Sequence, residues 1–214
     1  MAILQGDSAE LERLRHERSL VIIKPDAVAR HLVGELISRF ERKGLKMVGM
    51  KLVWPDEARA SRHYTDSEEW LASSGQRTYD NFVTQGVTPP AEPRELALNT
   101  RRKLMESLTA GPAVFLVLEG AHVIEVVRKL RGATNPRAAD VGTVVFDYTI
   151  DSFELSDAGD WAARNILHGS DSPENAVDEI AIWFKPEELL SYETVITKMV
   201  YDKRWQDHLK NPNI

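Results

Sequence analysis

Two uninterrupted apolar runs constrain this chain more than any other feature. Leu20-Val21-Ile22-Ile23 follows Ser19, and Ala113-Val114-Phe115-Leu116-Val117-Leu118 precedes Glu119-Gly120. Neither alternates with polar residues, and the first is rich in β-branched side chains, so both read as buried strands. Lys24-Pro25-Asp26 ends the first, which places a lysine at a strand tip, well positioned to meet a phosphate. Leu32, Leu36, Ile37 and Phe40 then recur at helical spacing, and Gly44 is placed to close that helix. Lys46 to Val53 alternates loosely, as a further strand would. Asp56 to Tyr64 reads as a helix leading to His63-Tyr64.

The remaining elements complete the pattern. Arg101 to Leu108 is helical, and Val123, Val126, Val127 and Leu130 mark a helix that Gly132-Ala133-Thr134-Asn135-Pro136 breaks. Asn165 to His168 reads as the fourth strand. Pro173 to Phe184 reads as an amphipathic helix with Ala176, Ile180 and Phe184 on one stripe, and Glu187 to Tyr192 as a short one after it. Strand, helix, strand, helices, strand, helix, strand, helix predicts an α+β domain with an antiparallel, four-stranded, ferredoxin-like sheet. Residues 1–18 form an N-terminal extension, with a short helix or a frayed polar end at Ala9 to Arg15. Residues 19–214 form a single domain carrying insertions at about 65–100 and 151–163. Thr65 to Thr100, with its glycines and Pro89-Pro90-Ala91-Glu92-Pro93, reads as irregular, and connections this long are often functional. Val144 to Ile150 reads as a short strand or an irregular segment, and the acidic Asp151 to Asp160 as a solvated loop.

Composition narrows the function. With 214 residues and 43% hydrophobic content the chain is long enough for a sizeable core. The absence of cysteine excludes disulfides, thiolate metal sites and thiol catalysis, and fits a cytoplasmic protein. A net charge of -6 disfavours a general nucleic-acid binder, which needs a basic face, though clustered cations can still serve small phosphates. No apolar run is long enough to cross a bilayer, and the N-terminus lacks the pattern of a signal peptide.

Chemistry concentrates in Asn165-Ile166-Leu167-His168-Gly169-Ser170-Asp171-Ser172, which holds an imidazole, two hydroxyls, a carboxylate and an amide. A glycine after the histidine allows backbone to lie close to a bound group. Ser172-Pro173 reads as a helix start, with a hydroxyl N-cap and proline at the first helical position, and helix N-termini favour anions.

In order along the chain, Lys24-Pro25-Asp26-Ala27-Val28, Gly132 to Pro136, and Asn165 to Ser172 resemble the motifs of nucleoside diphosphate kinases. Glu179 and Trp183-Phe184-Lys185-Pro186-Glu187-Glu188-Leu189 extend the resemblance, which covers Ser19 to Tyr201. It implies a βαββαβ core. It also implies transfer of the γ-phosphate of a nucleoside triphosphate such as ATP to a nucleoside diphosphate, by a ping-pong route through a phosphohistidine. His168 is then the nucleophile, and Glu179 the partner that orients it, directly or through Ser170. Lys24, Arg128 and Thr134 match phosphate binders, Tyr64 a phenol near the transferring phosphate, and Asn165 a contact to the ribose hydroxyl. The resemblance further implies Mg2+ held chiefly by nucleotide phosphates and water, with no protein carboxylate cage, and a homo-oligomer with no need of nucleic acid or membrane. General chemistry agrees: a neutral imidazole is nucleophilic near pH 7, and a covalent intermediate lets one site serve two nucleotides in turn.

Two positions depart from the pattern. The aromatic that covers the base aligns loosely with Thr100, and a second phosphate-binding arginine aligns with Val145, which cannot donate. Trp70, Tyr79 or Phe82 of the first insertion can replace the aromatic, and Arg137, or else Arg101 and Arg102, can replace the arginine. Trp161 lies in the second insertion. The competing readings are a nucleotide-binding regulatory member of the family with impaired transfer and a ferredoxin-like RNA-binding module. The latter fits poorly with the acidic balance and the lack of an aromatic-rich basic strand.

Overall fold

The computed structural model describes residues 8–210, so the start of the N-terminal extension and the last four residues lie outside it. Its elements in chain order are α1 (Ser8–Arg15), β1 (Arg18–Ile23), α2 (Pro25–Ala29), α3 (Val33–Arg42), β2 (Lys46–Val53), α4 (Glu57–His63), α5 (Glu68–Thr84) and α6 (Pro93–Thr109). They continue as β3 (Ala113–Glu119), α7 (Val123–Arg131), α8 (Val144–Tyr148), α9 (Phe153–Gly159), β4 (Leu167–Gly169), α10 (Pro173–Trp183), α11 (Val195–Tyr201) and α12 (Trp205–Lys210). Short 3-10 turns occupy Pro136–Ala138 and Pro186–Glu188.

The four strands form one sheet in the order β2-β3-β1-β4, every pair antiparallel, which is the ferredoxin-like arrangement expected. The two apolar runs are its central strands, paired from Arg18 opposite Glu119 to Ile23 opposite Val114. Both of their faces are covered. Val21, Ile23, Leu116 and Leu118 pack with Leu36 and Phe40 of α3 and Val127 of α7. Leu20, Ile22, Phe115 and Val117 pack with Ala60 of α4, Leu108 of α6 and Trp183 of α10. Alternate side chains of a strand point to opposite faces, so burial on both sides requires a continuous apolar run. Each fully buried Leu, Ile or Phe contributes about 1.5–3 kcal/mol, so the two central strands are the main source of stability.

The structure corrects the sequence reading in five places. Thr65 to Thr100 is not irregular: α5 fills much of it and α6 begins at Pro93, earlier than expected. The two helices pack closely because Gly75 has no side chain; a Cβ there would lie 2.0 Å from the Pro93 carbonyl oxygen. Val144–Tyr148 is helical and not a strand, capped by the Thr143 hydroxyl. The acidic Asp151 to Asp160 segment contains α9, because Ser152 caps it and Asp151 is buried, accepting from Ser152 N–H, Arg164 N–H and Trp161 Nε1. The stretch from Glu187 to Tyr192 holds only a 3-10 turn, and the following helix starts at Val195. Finally, the fourth strand begins at Leu167 and not at Asn165.

Candidate active site

β4 brings His168 beside the end of β1, pairing it with Ile22 and Leu167 with Ile23. The strand starts late because Ile166 has φ 52°, a left-handed conformation that β-branched residues avoid. Packing holds it there: the side chain is fully buried, its carbonyl accepts the Lys24 N–H at 2.9 Å, and the Leu167 N–H turns back to the Asn165 carbonyl at 2.6 Å. This turn lies between two chemical groups, His168 with Glu179 on one side and Asn165 with Lys24 on the other.

The first group is built by β4, α10 and α4. Ser172 caps α10 by accepting the Asn175 N–H at 3.1 Å, with Pro173 in the first turn, as the sequence predicts. The helix buries Ala176 and Ile180, which turns Glu179 inward beneath the histidine. His168 Nε2 lies 3.0 Å from Glu179 Oε1. The ring N–H is not aligned with that line, and catalytic hydrogen bonds commonly draw into line only in the substrate complex. The other carboxylate oxygen takes the Ser170 hydroxyl at 2.6 Å, while Ser170 Oγ accepts the Leu20 N–H at 3.0 Å. Glu179 therefore contacts the imidazole directly, and Ser170 braces Glu179. Burial alone would raise the Glu179 pKa, but the His168 imidazole, His63 and the Ser170 hydroxyl outweigh it and hold the carboxyl at about 2.

His63, which sequence reasoning used only as the end of a helix, belongs to this group. Its ring stands edge-on to His168 with centroids 4.7 Å apart and to Tyr64 at 4.8 Å. Burial, then the nearby His168, lowers its pKa to about 3, so it is a neutral wall against the His168 ring. The only sequence signal was its spacing, three residues after the buried Ala60. Burial also raises the Tyr64 phenol above its usual range, and Arg101 Nε donates to the Tyr64 carbonyl at 2.7 Å.

The second group is one continuous chain of hydrogen bonds. Lys24 Nζ donates to Asn165 Oδ1 at 2.7 Å, Asn165 Nδ2 donates to the Thr134 carbonyl at 3.0 Å, and Arg131 Nη2 donates to Thr134 Oγ1 at 2.6 Å. Arg128 is exposed one turn earlier in α7. Burial is the main reason that the Lys24 pKa drops to about 8; Asp26 opposes this and Arg131 adds to it. Lys24 is also close enough to influence His63, which ties the two groups together. Among the described residues, no carboxylate lies within ion-pair distance of Lys24, Arg128 or Arg131, a cationic arrangement suited to a polyanion. Arg131 was missed in the sequence, where a cation in the last turn of a helix is unremarkable.

Gly169 is required by packing: a Cβ there would stand 2.6 Å from Val127 Cγ1 of α7. Val145 is fully buried in α8. Beside Asn165 and Thr134 lies a cavity of about 180 Å³, lined also by Phe82, Thr100, Trp161 and Ala162, so both insertions reach it. Trp70 and Tyr79 do not line it.

A histidine held by a part-buried carboxylate lies next to clustered cations on a ferredoxin-like sheet. The family model described as nucleoside diphosphate kinase fits residues 17–85 and 99–189. The chain belongs to the nucleoside diphosphate kinase family. A nucleoside diphosphate kinase of Pyrobaculum aerophilum is 45% identical over 179 residues, spanning 81% of this chain and 98% of the relative. One from Pyrococcus horikoshii is 44% identical over 176 residues, spanning 82% and 90%. The crystal structure of an NDP kinase from Pyrobaculum aerophilum superposes with a TM-score of 0.78 at 43% identity, covering 82% of this chain and all of the other. A transition-state mimic of the Borrelia burgdorferi nucleoside-diphosphate kinase, with bound vanadate and ADP, matches at TM-score 0.70 and 35% identity, covering 86% and 96%. This chain is thus an enzyme, a kinase that transfers phosphate between nucleotides; nothing here favours the impaired regulatory alternative. The family is divalent-metal dependent in general. No helix among the described residues is long and apolar enough to cross a membrane.

Proposed function

We propose that His168 carries the phosphoryl group between two nucleotides that use the site in turn. The observation that carries this reading is the His168–Glu179 contact at 3.0 Å, backed by Ser170, beside the Lys24–Asn165–Thr134 chain. Glu179 faces Nε2 and fixes the proton there, so the lone pair belongs to Nδ1. In the first half-reaction the Nδ1 lone pair forms a bond to the γ-phosphorus of a nucleoside triphosphate. The bond to the β,γ-bridging oxygen breaks, and the nucleoside diphosphate leaves with that electron pair. Glu179 stabilises the positive charge that the ring acquires. In the second, a terminal phosphate oxygen of the acceptor diphosphate attacks the same phosphorus and His168 is regenerated. Lys24, Arg128 and Thr134 hold the phosphates and neutralise charge developing on the equatorial oxygens. Tyr64 lines the same end, and Asn165 receives the ribose hydroxyl while aligning Lys24.

The nucleoside occupies the cavity beside Asn165. Phe82 of α5 is the base cover of choice there. Trp161 is less suited, because Arg164 lies 4.9 Å over its ring and it packs on Gly159, where a Cβ would be 1.6 Å away. Mg2+ is the cation of this reading. The donors facing the phosphate site are cations, a hydroxyl and an amide, with two carboxylates nearby, Asp26 acting on Lys24 and Asp171 on Arg131. That set suits a cation arriving with the nucleotide, held by phosphates and water. Once bound it neutralises phosphate charge.

A homo-oligomer and a cytoplasmic location complete the proposal. β2 is an edge strand with Met50 and Leu52 exposed and Trp54 exposed just past its end, which supports a covered edge, and the cysteine-free composition fits a reducing compartment. The proposal also takes in a single domain at 19–214 with an N-terminal extension at 1–18, whose last residue, Arg18, already pairs with Glu119 in the sheet. The test is incubation with γ-labelled ATP. An acid-labile, alkali-stable protein phosphate that vanishes in His168→Ala supports the mechanism, and labelling that persists in the variant rejects it.

A further inference from the structure

We propose that Arg131 supplies the second guanidinium to the nucleotide phosphates, in place of the side chain that Val145 lacks. This rests on the phosphotransfer reading above and adds a residue to its binding site. Several other arginines around the site are committed to other partners, and Arg164 is set over the Trp161 ring at 4.9 Å. Arg137, the first candidate from the sequence, is 73% exposed and paired with Glu154 at 2.7 Å. Arg101 donates to the Tyr64 carbonyl and to Ser61 Oγ. Arg102 is held by Asp160, Glu106 and Asn99. Arg39 is bound to Asp147 and to the Gly142 carbonyl, and Arg30 to the Tyr148 carbonyl.

Arg131 differs from these in each respect that matters. It lies at the end of α7, half-buried, with two hydrogen bonds to neutral acceptors only, the Gly132 carbonyl at 3.2 Å and Thr134 Oγ1 at 2.6 Å. A guanidinium has five N–H donors, so most of its fork is left for another acceptor. Thr134 Oγ1 fixes where that fork points, and Thr134 is itself one bond from Asn165 and two from Lys24. Asp171 attracts the guanidinium from beyond ion-pair distance, while Arg128 repels it. A half-buried cation next to a second cation and a buried lysine is unfavourable unless an anion joins them. A nucleotide polyphosphate is that anion. Val145, fully buried, cannot present any side chain there, so the donor has moved from α8 to the end of α7.

The experiment compares wild type, Arg131→Met and Arg131→Lys. It measures single-turnover phosphorylation by ATP, and binding of ADP and of adenosine by calorimetry. Removing one preorganised donor to a developing oxyanion costs about a hundredfold in rate. Arg131→Met is expected to lose that factor and to bind ADP more weakly with adenosine binding unchanged. Arg131→Lys keeps a point charge but not the fork, and is expected to recover only part of the loss; it also provides the reading should the methionine variant fail to fold. A purely structural brace for the Thr134 loop makes a different prediction: because the Thr134 carbonyl holds Asn165, Arg131→Met then weakens adenosine and ADP binding by the same factor. That result, or wild-type rates and ADP affinity in Arg131→Met or Arg131→Lys, overturns the assignment. Absence of labelling in wild type instead refutes the phosphotransfer reading, while a selective ADP defect in Arg131→Met still supports the phosphate contact.

Discussion

Glu179 is shared between two side chains, with His168 Nε2 3.0 Å from one oxygen and the Ser170 hydroxyl 2.6 Å from the other. That sharing leaves one orientation for the imidazole. Glu179→Gln keeps the shape but not the charge that balances a phosphohistidine, so single-turnover phosphorylation should slow by on the order of a hundredfold. A rate within threefold of wild type would remove the charge from the mechanism.

The same carboxylate sets an acid limit on stability. Its pKa of about 2 in the folded chain lies below the ordinary 4.5, so its contribution is complete above pH 4.5 and is lost as pH falls through 2. The contribution is on the order of 3 kcal/mol. Acid titration of the denaturation midpoint should therefore be shallower in Glu179→Gln between pH 4.5 and 2, with no difference in slope above it.

Lys24 sets an alkaline limit on activity. Burial lowers it to about 8, so the cation is present below that pH and lost above it. kcat/KM, which reports groups on the free enzyme, should fall as pH rises through 8. The same shift means that the buried charge costs stability below pH 8, a cost relieved as pH rises towards 10.5. Lys24→Met should thus lose phosphotransfer at pH 7 with no drop in Tm; a large drop would show the lysine to be structural.

Phe82 tests the role of the first insertion. Stacking of one base on an aromatic is worth about 1–3 kcal/mol. Phe82→Ala should weaken ADP binding by roughly ten- to a hundredfold, while inorganic tripolyphosphate competes as well as before. Equal ADP affinity would move the base elsewhere.

Val145→Arg should fail as a repair. The position is fully buried, so a guanidinium there has neither solvent nor partner and costs several kcal/mol. Chemical denaturation should show the loss, and phosphorylation of the folded fraction should not accelerate. A faster, equally stable variant would show that α8 opens towards the phosphates.

Much of the fold was legible because its signals are local. The apolar runs at Leu20–Ile23 and Ala113–Leu118 name two central strands by themselves, since only a strand covered on both faces needs every position apolar. Ser172-Pro173 names a helix start for the same reason: cap chemistry acts over three residues. The motif around His168 likewise carried its own resemblance. Tertiary structure decided what depends on partners distant in sequence. Ile166 adopts φ 52° only because surrounding packing and the Lys24 N–H hold it, so the start of β4 could not be read from propensity. Gly75 and Gly169 are glycines because Pro93 and Val127 come to meet them. Sharing a loop with Thr134 favoured Arg137 in the sequence, yet Glu154 takes that arginine, and Arg131, from the end of α7, is the one that reaches the Thr134 hydroxyl. An arginine's role is set by which of its donors remain unspent, and that is a property of the folded neighbourhood, not of the residue.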